Sequence, residues 1–395
     1  MKIFLDCLAS SSCISIGTNA FIISDIELLN EKYPKCEIVL FSSDPEVDKL
    51  QFGYLPYKIS YIQRSKSQIV AMLQIRRIVS QVDVVVSAWG DGYITVPPYK
   101  LLRKTIFLKR QGVPLILFTS SIGPFNGGFK DKLALLGLKK FDAITVRDQN
   151  TFEYLKPHGL NRLRLVHDTA FVLEPCSDYR RDELLRQSGL EGGEKFIGLN
   201  VSVLMYNLYK ERGQDYISLM IEYIEWILNN FEIPIVLIPH QLYPKKMSYT
   251  IDEYQSKDGD DRFPIELILS KINKTDRLFA LEQEVTPQEV KGVIGKSELF
   301  IGSRMHSVIA AISLSVPSLV MQYSHKSEGM MRFLRMPEYV WDINKDFEDL
   351  TRRTSALWRD RQIVRAKLNE IMPGIYEDIY DLCNEIERVL ESKCA

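Results

Sequence analysis

Residues 82–148 read VDVVVSAWGDGYITVPPYKLLRKTIFLKRQGVPLILFTSSIGPFNGGFKDKLALLGLKKFDAITVRD. Three apolar runs stand out: VDVVVSA (82–88), PLILFTSS (114–121) and DAITV (142–146). They are rich in Val, Ile, Leu and Phe and alternate little, the pattern of strands buried on both faces of a parallel sheet. Amphipathic segments near 97–111 and 129–140 lie between them and read as helices. Strand and helix therefore alternate, which predicts a doubly wound α/β layer. Working outward, KIFLD (2–6) and EIVLF (37–41) add strands, and segments near 19–32, 67–80 and 148–156 add helices.

The segment 174–195 is polar, carries Pro and Gly, and reads as a linker with a short helix. The pattern then restarts with FIGLNVS (196–202), PIVLIPH (234–240), a short strand near 277–280, ELFIGS (298–303) and PSLVMQY (317–323). Helices are expected near 214–230, 261–272, 286–294 and 307–314. From about 351 the chain is charged and helical, with apolar residues three and four apart in WRDRQIVRAKLNEIM and YEDIYDLCNEIERVL. Pro373-Gly374 is expected to separate these two pieces. The expectation is an N-terminal α/β domain (1–175), a C-terminal α/β domain (176–350) and a helical tail (351–395) packing on the body. Two such Rossmann-like domains would face a cleft lined by the carboxyl ends of their strands.

The 395 residues include 50 Lys or Arg against 51 Asp or Glu, so nothing in the global charge points to nucleic acid. No apolar run reaches the roughly 18 residues of a spanning helix. MKIFLD reads as a first strand rather than a signal peptide, because Asp6 interrupts the apolar stretch. The six cysteines form neither CxxC nor a zinc spacing, so reduced thiols in the cytoplasm are the simplest reading.

The chemistry-bearing residues gather at strand ends. In FIGSRMHSVIAAISLSVPSLVMQYSHKSEG (300–329), a strand ends at Gly302, and Arg304, Met305 and His306 precede a small-residue helix. Ser303 or Ser307 can cap that helix; with Ser307 as cap, Arg304 and His306 would both lie in extended chain and face one ligand. The helix N-terminus and Arg304 then make an anion site. The arginine contributes about 1.5–3 kcal/mol and the dipole about 0.3–1, so Arg304 should dominate. The next strand ends at Tyr323, followed by His325 and Lys326. Asn200 and Ser202 end one strand and His240 another. In the first domain, Asp91 follows VDVVVSAWG, Arg147 and a helix-capping Asp148 follow DAITV, and His167-Asp168 follows LRLV. The loop SSCISIGTNAF (11–21) offers Gly17 and Asn19. Asp258-Gly259-Asp260 lies in the polar stretch QSKDGDDR and reads as a solvated loop. Lys100, Arg103, Lys104, Lys109 and Arg110 lie on one expected helix and its end, most simply a solvated face.

GxGxxG after the first strand, GxxxxGK[ST], GxSxG and HExxH are all absent, which argues against dinucleotide, P-loop, hydrolase-elbow and zincin readings. No metal site is expected.

GSRMHSVIAAISLSVPSLVMQYSHK (302–326) resembles the polysaccharide pyruvyl transferase family in its Gly-x-Arg-apolar-His block, Ala-rich helix and Tyr-x-x-Lys strand end. SIGPF (121–125), TVRDQ (145–149), VHDTAF (166–171), GLNVS (198–202) and IPH (238–240) resemble further family signatures in order, so the resemblance spans about residues 2–335. IGTNAF and Gly90-Asp91-Gly92 depart from the family's glycine-rich loops. The resemblance implies a GT-B-like fold and transfer of pyruvate from phosphoenolpyruvate to two hydroxyls of a cell-envelope or exopolysaccharide sugar, forming a cyclic ketal. It implies phosphoenolpyruvate as donor substrate with no further cofactor. The saccharide acceptor could be lipid-linked, which would bring a cytoplasmic protein to the inner face of the membrane. The donor's anionic groups would fall to Arg304, the helix end and Lys326, with Met305, Tyr323, His325, Arg147, Asn200, Asn19, Gly17 and Asp91 as further binding candidates. His306 would be the leading acid/base, His240 or His167 would deprotonate the acceptor, and Asp168 would orient a histidine or a hydroxyl. Two other readings stay open: a nucleotide-sugar glycosyltransferase of the same shape, and a non-catalytic saccharide-binding member, the latter motivated by the altered loops at 16–21 and 89–92.

Overall fold

Seven parallel strands form the first sheet: β1 (Lys2–Cys7), β2 (Glu37–Ser42), β3 (Lys58–Gln63), β4 (Val84–Ala88), β5 (Leu115–Ser120), β6 (Ala143–Val146) and β7 (Leu163–Leu165), in the order β3-β2-β1-β4-β5-β6-β7. Every residue of β4, β5 and β6 is buried, which is why these runs lack alternation. Phe4, Val85, Leu117 and Ile144 meet Ile78 and Leu101 from the covering helices in one core. Each fully buried Leu, Ile or Phe contributes roughly 1.5–3 kcal/mol. This computed structural model describes residues 1–7, 15–125, 128–191, 193–244, 249–273, 275–323 and 325–394; the side chains of 95, 325–327, 393 and 394 lie outside the description.

The second sheet has six parallel strands: β8 (Ile197–Leu199), β9 (Ile235–Leu237), β10 (Leu278–Ala280), β11 (Leu299–Gly302), β12 (Ser318–Gln322) and β13 (Val340–Asp342), ordered β10-β9-β8-β11-β12-β13. In both sheets the order starts at one side of the first strand and then reverses to the other, the doubly wound pattern. The fold is therefore α/β with two Rossmann-like units, of the GT-B-like class, and carries a long C-terminal helix.

The chain divides into one unit of Met1–Cys13, Phe21–Val172 and Gly374–Ala395, and a second of Ile14–Ala20 and Leu173–Pro373. The division thus falls inside two helices, Ile16–Lys32 and Phe347–Tyr380. Pro373 lies within the second of these and does not break it, contrary to the expected separation at Pro373-Gly374. The segment after it packs on the first unit: Arg164 pairs with Asp381 and Glu385, and Leu382, Ile386 and Val389 are buried. Strands β3 and β13 have no counterpart in the sequence reading. β3 is a half-exposed edge and β13 has only three residues, so neither offers a long apolar run. Among the described residues, no helix is long and apolar enough to cross a membrane.

Candidate functional site

In the second unit the strand order reverses at β8, which has β9 on one side and β11 on the other. Open α/β sheets bind ligands at the carboxyl ends of the strands at such a point. Here those ends are Asn200–Ser202 after β8 and Ser303–His306 after β11.

Asn200 is fully buried and braces three strand ends. Its Nδ2 donates to the Ile238 carbonyl (2.9 Å), while its Oδ1 accepts from the Arg304 N–H (3.0 Å) and the Ser303 hydroxyl (3.1 Å). Its amide thus fixes where the Arg304 backbone begins. Arg304 is extended (φ −91°, ψ 127°) and the helix starts at Met305. Ser307 is not the cap; its hydroxyl donates to the Arg304 carbonyl (2.7 Å). His306 therefore sits in the first helical turn and not in extended chain. Arg304, Met305 and His306 are each partly exposed, and the N-cap residue Arg304 makes no side-chain capping hydrogen bond.

The Arg304 guanidinium is not a lone cation. Nε and Nη2 donate to the two oxygens of Asp261 at 3.1 and 2.7 Å. Asp261 is fully buried and also accepts from the Val203 and His240 backbone N–H groups, each at 2.9 Å. Burial opposes the arginine's charge, but Asp261 more than offsets it, so the pKa is raised. Asp261 uses two of the five N–H donors; Nη1 has no acceptor among the described residues. The result is an arginine aimed by a carboxylate, with an open edge.

QSKDGDDR is therefore not a solvated loop. Asp260 and Asp261 are both fully buried, and Asp260 ion-pairs with Arg262 and accepts from the Tyr243 N–H (2.8 Å). Asp261 is the site residue the sequence reading lacks. Its acid-rich neighbourhood imitates a surface turn, and only its tertiary partners reveal it.

His240 is buried, and its pKa is lowered well below 6.5, first by burial and then by the charges of His306 and Arg304. It is thus a neutral imidazole near neutral pH. Gly17 lies in the first turn of helix Ile16–Lys32, not in a loop, and faces His306: a Cβ there would sit 2.6 Å from both Cβ and Nδ1 of the imidazole. Only glycine lets the ring occupy that position. Asn19 is buried in the same helix. Residues 11–14 of the expected loop lie outside the described residues. Tyr323 is partly exposed after β12 and close enough to influence the Arg304 charge. His325 and Lys326 begin helix His325–Phe333, and their side chains lie outside the description. The second unit thus brings together Asn200, His240, Arg304, His306, Gly17 and the unforeseen Asp261. A directed guanidinium edge, a helix end and a partly exposed imidazole can together hold an anion and exchange a proton with it.

The first unit joins three other predicted residues. Arg147 donates from Nη1 to Asp168 (2.6 Å), from Nη2 to Asp91 (2.6 Å) and from Nε to the Ser121 hydroxyl (3.2 Å). The side chains of Arg147 and Asp168 are 3% and 4% exposed, while Asp91 is 42% exposed. Asp91 is thus the part of the network that reaches solvent. Gly90 beside it has φ +55°, and a Cβ there would crowd the Phe21 ring at 3.1 Å. Asp148 caps helix Gln149–Leu155 by accepting from the Thr151 N–H (2.8 Å). Asp25, buried nearby, has no hydrogen-bond partner for either carboxyl oxygen among the described residues. Its pKa is pushed up to about 8, chiefly by burial and further by Asp168, against the pull of the Thr169 hydroxyl and Arg147. His167 stacks edge-on with Phe171 and has Nδ1 3.5 Å from Asp378 of the C-terminal segment.

Comparison with known proteins agrees with this architecture. The structure is similar to UDP-GlcNAc 2-epimerase from Neisseria meningitidis bound to UDP-GlcNAc (TM-score 0.64, 11% identity, covering 99% of this chain and 100% of that one). It is also similar to Anabaena HepE in complex with UDP-glucose (TM-score 0.61, 10% identity, covering 100% and 99%). At these identities the likeness concerns the fold. In sequence, the chain is 21% identical over 269 residues to the amylovoran biosynthesis protein AmsJ of Erwinia amylovora; the match covers 67% of this chain and 62% of that relative's length. The family model for polysaccharide pyruvyl transferase matches residues 22–325, which include Asp91, Ser121, Arg147 and Asp168 of the first unit and Asn200, His240, Asp261, Arg304 and His306 of the second but not Gly17 or Asn19, and the chain belongs to that family.

Proposed function

We propose that the chain transfers pyruvate from phosphoenolpyruvate to two hydroxyls of a saccharide in the biosynthesis of a cell-envelope or extracellular polysaccharide. The observation that carries this reading is the open guanidinium edge of Arg304, held by Asp261 at the start of the helix bearing His306. The donor has a carboxylate and a phosphate, and its enol carbon must gain a proton. The Arg304 edge and the helix N–H groups bind the anionic groups. His306, as imidazolium, protonates the methylene carbon, making C2 electrophilic. One sugar hydroxyl adds to C2, the C2–O bond to phosphate breaks, and the second hydroxyl adds to close the ketal. Two hydroxyl protons are released in all; one restores the methyl-forming acid and the other leaves with phosphate or water. His240, kept neutral, is the base candidate within the second unit. In the first unit Asp91, fixed by Arg147 and reaching solvent, is the group suited to accept a hydrogen bond from a sugar hydroxyl, and Asp168 positions Arg147.

Purified protein mixed with phosphoenolpyruvate and candidate acceptor saccharides should release inorganic phosphate and increase the acceptor mass by one pyruvate ketal. A thermal shift with phosphoenolpyruvate and none with UDP- or GDP-sugars supports the reading. The reverse pattern rejects it in favour of a nucleotide-sugar transferase.

A further inference from the structure

The sequence from Arg64 to Val82 and from Gly92 to Phe129 contains nine Lys or Arg and no Asp or Glu, in a chain whose net charge is −1. Lys104 pairs with Asp6 and Lys109 with Asp142. The other seven (Arg64, Lys66, Arg76, Arg77, Lys100, Arg103 and Arg110) are exposed, and their charged groups have no hydrogen-bond or ion-pair partner among the described residues. Elsewhere, exposed arginines such as Arg332, Arg352, Arg359 and Arg388 are paired with neighbouring acids.

The same surface carries the large apolar side chains that a soluble face would hide. On helix Gln68–Val79, Ile69 is 74% exposed, Leu73 60%, Val70 45% and Met72 39%. Ile69, Leu73 and Arg76 follow the i, i+4, i+7 spacing of one helical stripe. On helix Pro98–Lys109, Tyr99 is 57% exposed. Between the two helices lies a cavity of about 290 Å³ lined by Met72, Ile75 and Phe107 together with Arg64, Lys100 and Arg103. Exposed apolar side chains beside unpaired cations, on two stretches that contain no Asp or Glu, match the layered chemistry of an anionic bilayer: acyl chains inside, phosphates outside.

We propose that helices Gln68–Val79 and Pro98–Lys109 form a seat for an anionic phospholipid bilayer, with Ile69 and Leu73 entering the acyl boundary and the seven cations contacting lipid phosphates. The seat belongs to the first unit, so it stands apart from the reading of Arg304 and His306.

The test is co-sedimentation of the full chain with vesicles of phosphatidylcholine alone and of phosphatidylcholine mixed with phosphatidylglycerol. Binding is expected only to the mixed vesicles and should weaken sharply at 0.5 M salt. Each basic residue near an anionic surface is worth about fivefold in partitioning, so R76E/R77E should weaken binding at least ~25-fold. Leu73→Glu should weaken it ~10-fold or more, whereas Ile363→Glu, at a 72% exposed apolar position of the second unit, should not. Circular dichroism melts identify any variant that has lost its fold; all of these positions are exposed. Three results would overturn the proposal: no preference for the mixed vesicles, binding unaffected by Leu73→Glu in a folded protein, or a dimer in sedimentation equilibrium that the same substitution dissolves. Tighter binding to an RNA or DNA duplex than to the mixed vesicles would equally overturn it. Turnover of phosphoenolpyruvate with a soluble acceptor should be unchanged in Leu73→Glu, so failure of the vesicle assay and failure of the transfer assay are separately readable.

Discussion

Arg147 and Arg304 both follow buried parallel strands, and both are held by aspartates, yet they end in different states. Arg147 is 3% exposed and donates from Nε, Nη1 and Nη2 to three separate residues. Arg304 is 16% exposed and gives Nε and Nη2 to a single carboxylate, leaving Nη1 open. The first is a strut that joins the loops after β4, β5 and β6 to the segment after β7; the second is a donor aimed outward. A charged side chain at a strand end is thus informative only once its partners are counted. The same residue type can spend all its hydrogen bonds on the fold or keep some for a ligand.

The contrast can be broken at four places. His306→Ala should lower turnover ~10²–10⁴-fold while leaving the melting curve nearly intact, as read by phosphate release and circular dichroism; undiminished turnover would remove the imidazole from the chemistry. Asp168→Ala leaves Arg147 buried with a lost partner and should cost about 3–5 kcal/mol of stability, measured by denaturant unfolding. Affinity for phosphoenolpyruvate should persist in that variant, and its loss would erase the distinction between strut and donor. Gly17→Ala pushes on the His306 ring and should reduce kcat ~10-fold with a smaller change in KM. An unchanged kcat would mean that the ring can shift freely.

The fourth place is Asp25. Its unfolded carboxyl loses a proton near the ordinary value of 3.8, whereas the folded one holds it to about 8. The native state binds the extra proton between these values, so stability is greatest at the acid end of that window and falls as pH rises through it, levelling off above about 8. Asp25→Asn should remove this slope. Its stability relative to the parent should grow by about 3–4 kcal/mol between pH 5 and pH 8. A constant offset across that range, in melts taken at several pH values, would show that the carboxyl titrates normally.

Much of the fold was legible because strands buried on both faces must be continuously apolar; β1, β2, β4, β5, β6, β11 and β12 all announce themselves this way. The edge strand β3, half exposed, and the three-residue β13 carry no such signature. Arg304 and His306 were legible as polar residues directly after an apolar strand. Asp261 was not, because what distinguishes it from Asp258 is burial against Val203, His240 and Arg304, more than 20 residues away in either direction. Asn200 was visible as polar at a strand end, but its role as a brace follows from three hydrogen bonds that no local pattern encodes.

The last helical segment has a practical corollary. Since residues 374–395 complete the first unit and residues 14–20 belong to the second, neither half is a contiguous piece of gene. A fragment stopped at Val172 would leave Arg164 without Asp381 and Glu385 and would uncover the surface that Leu382, Ile386 and Val389 close. Independent expression of the halves therefore calls for grafting the terminal segment onto the first one, rather than for a single cut between them.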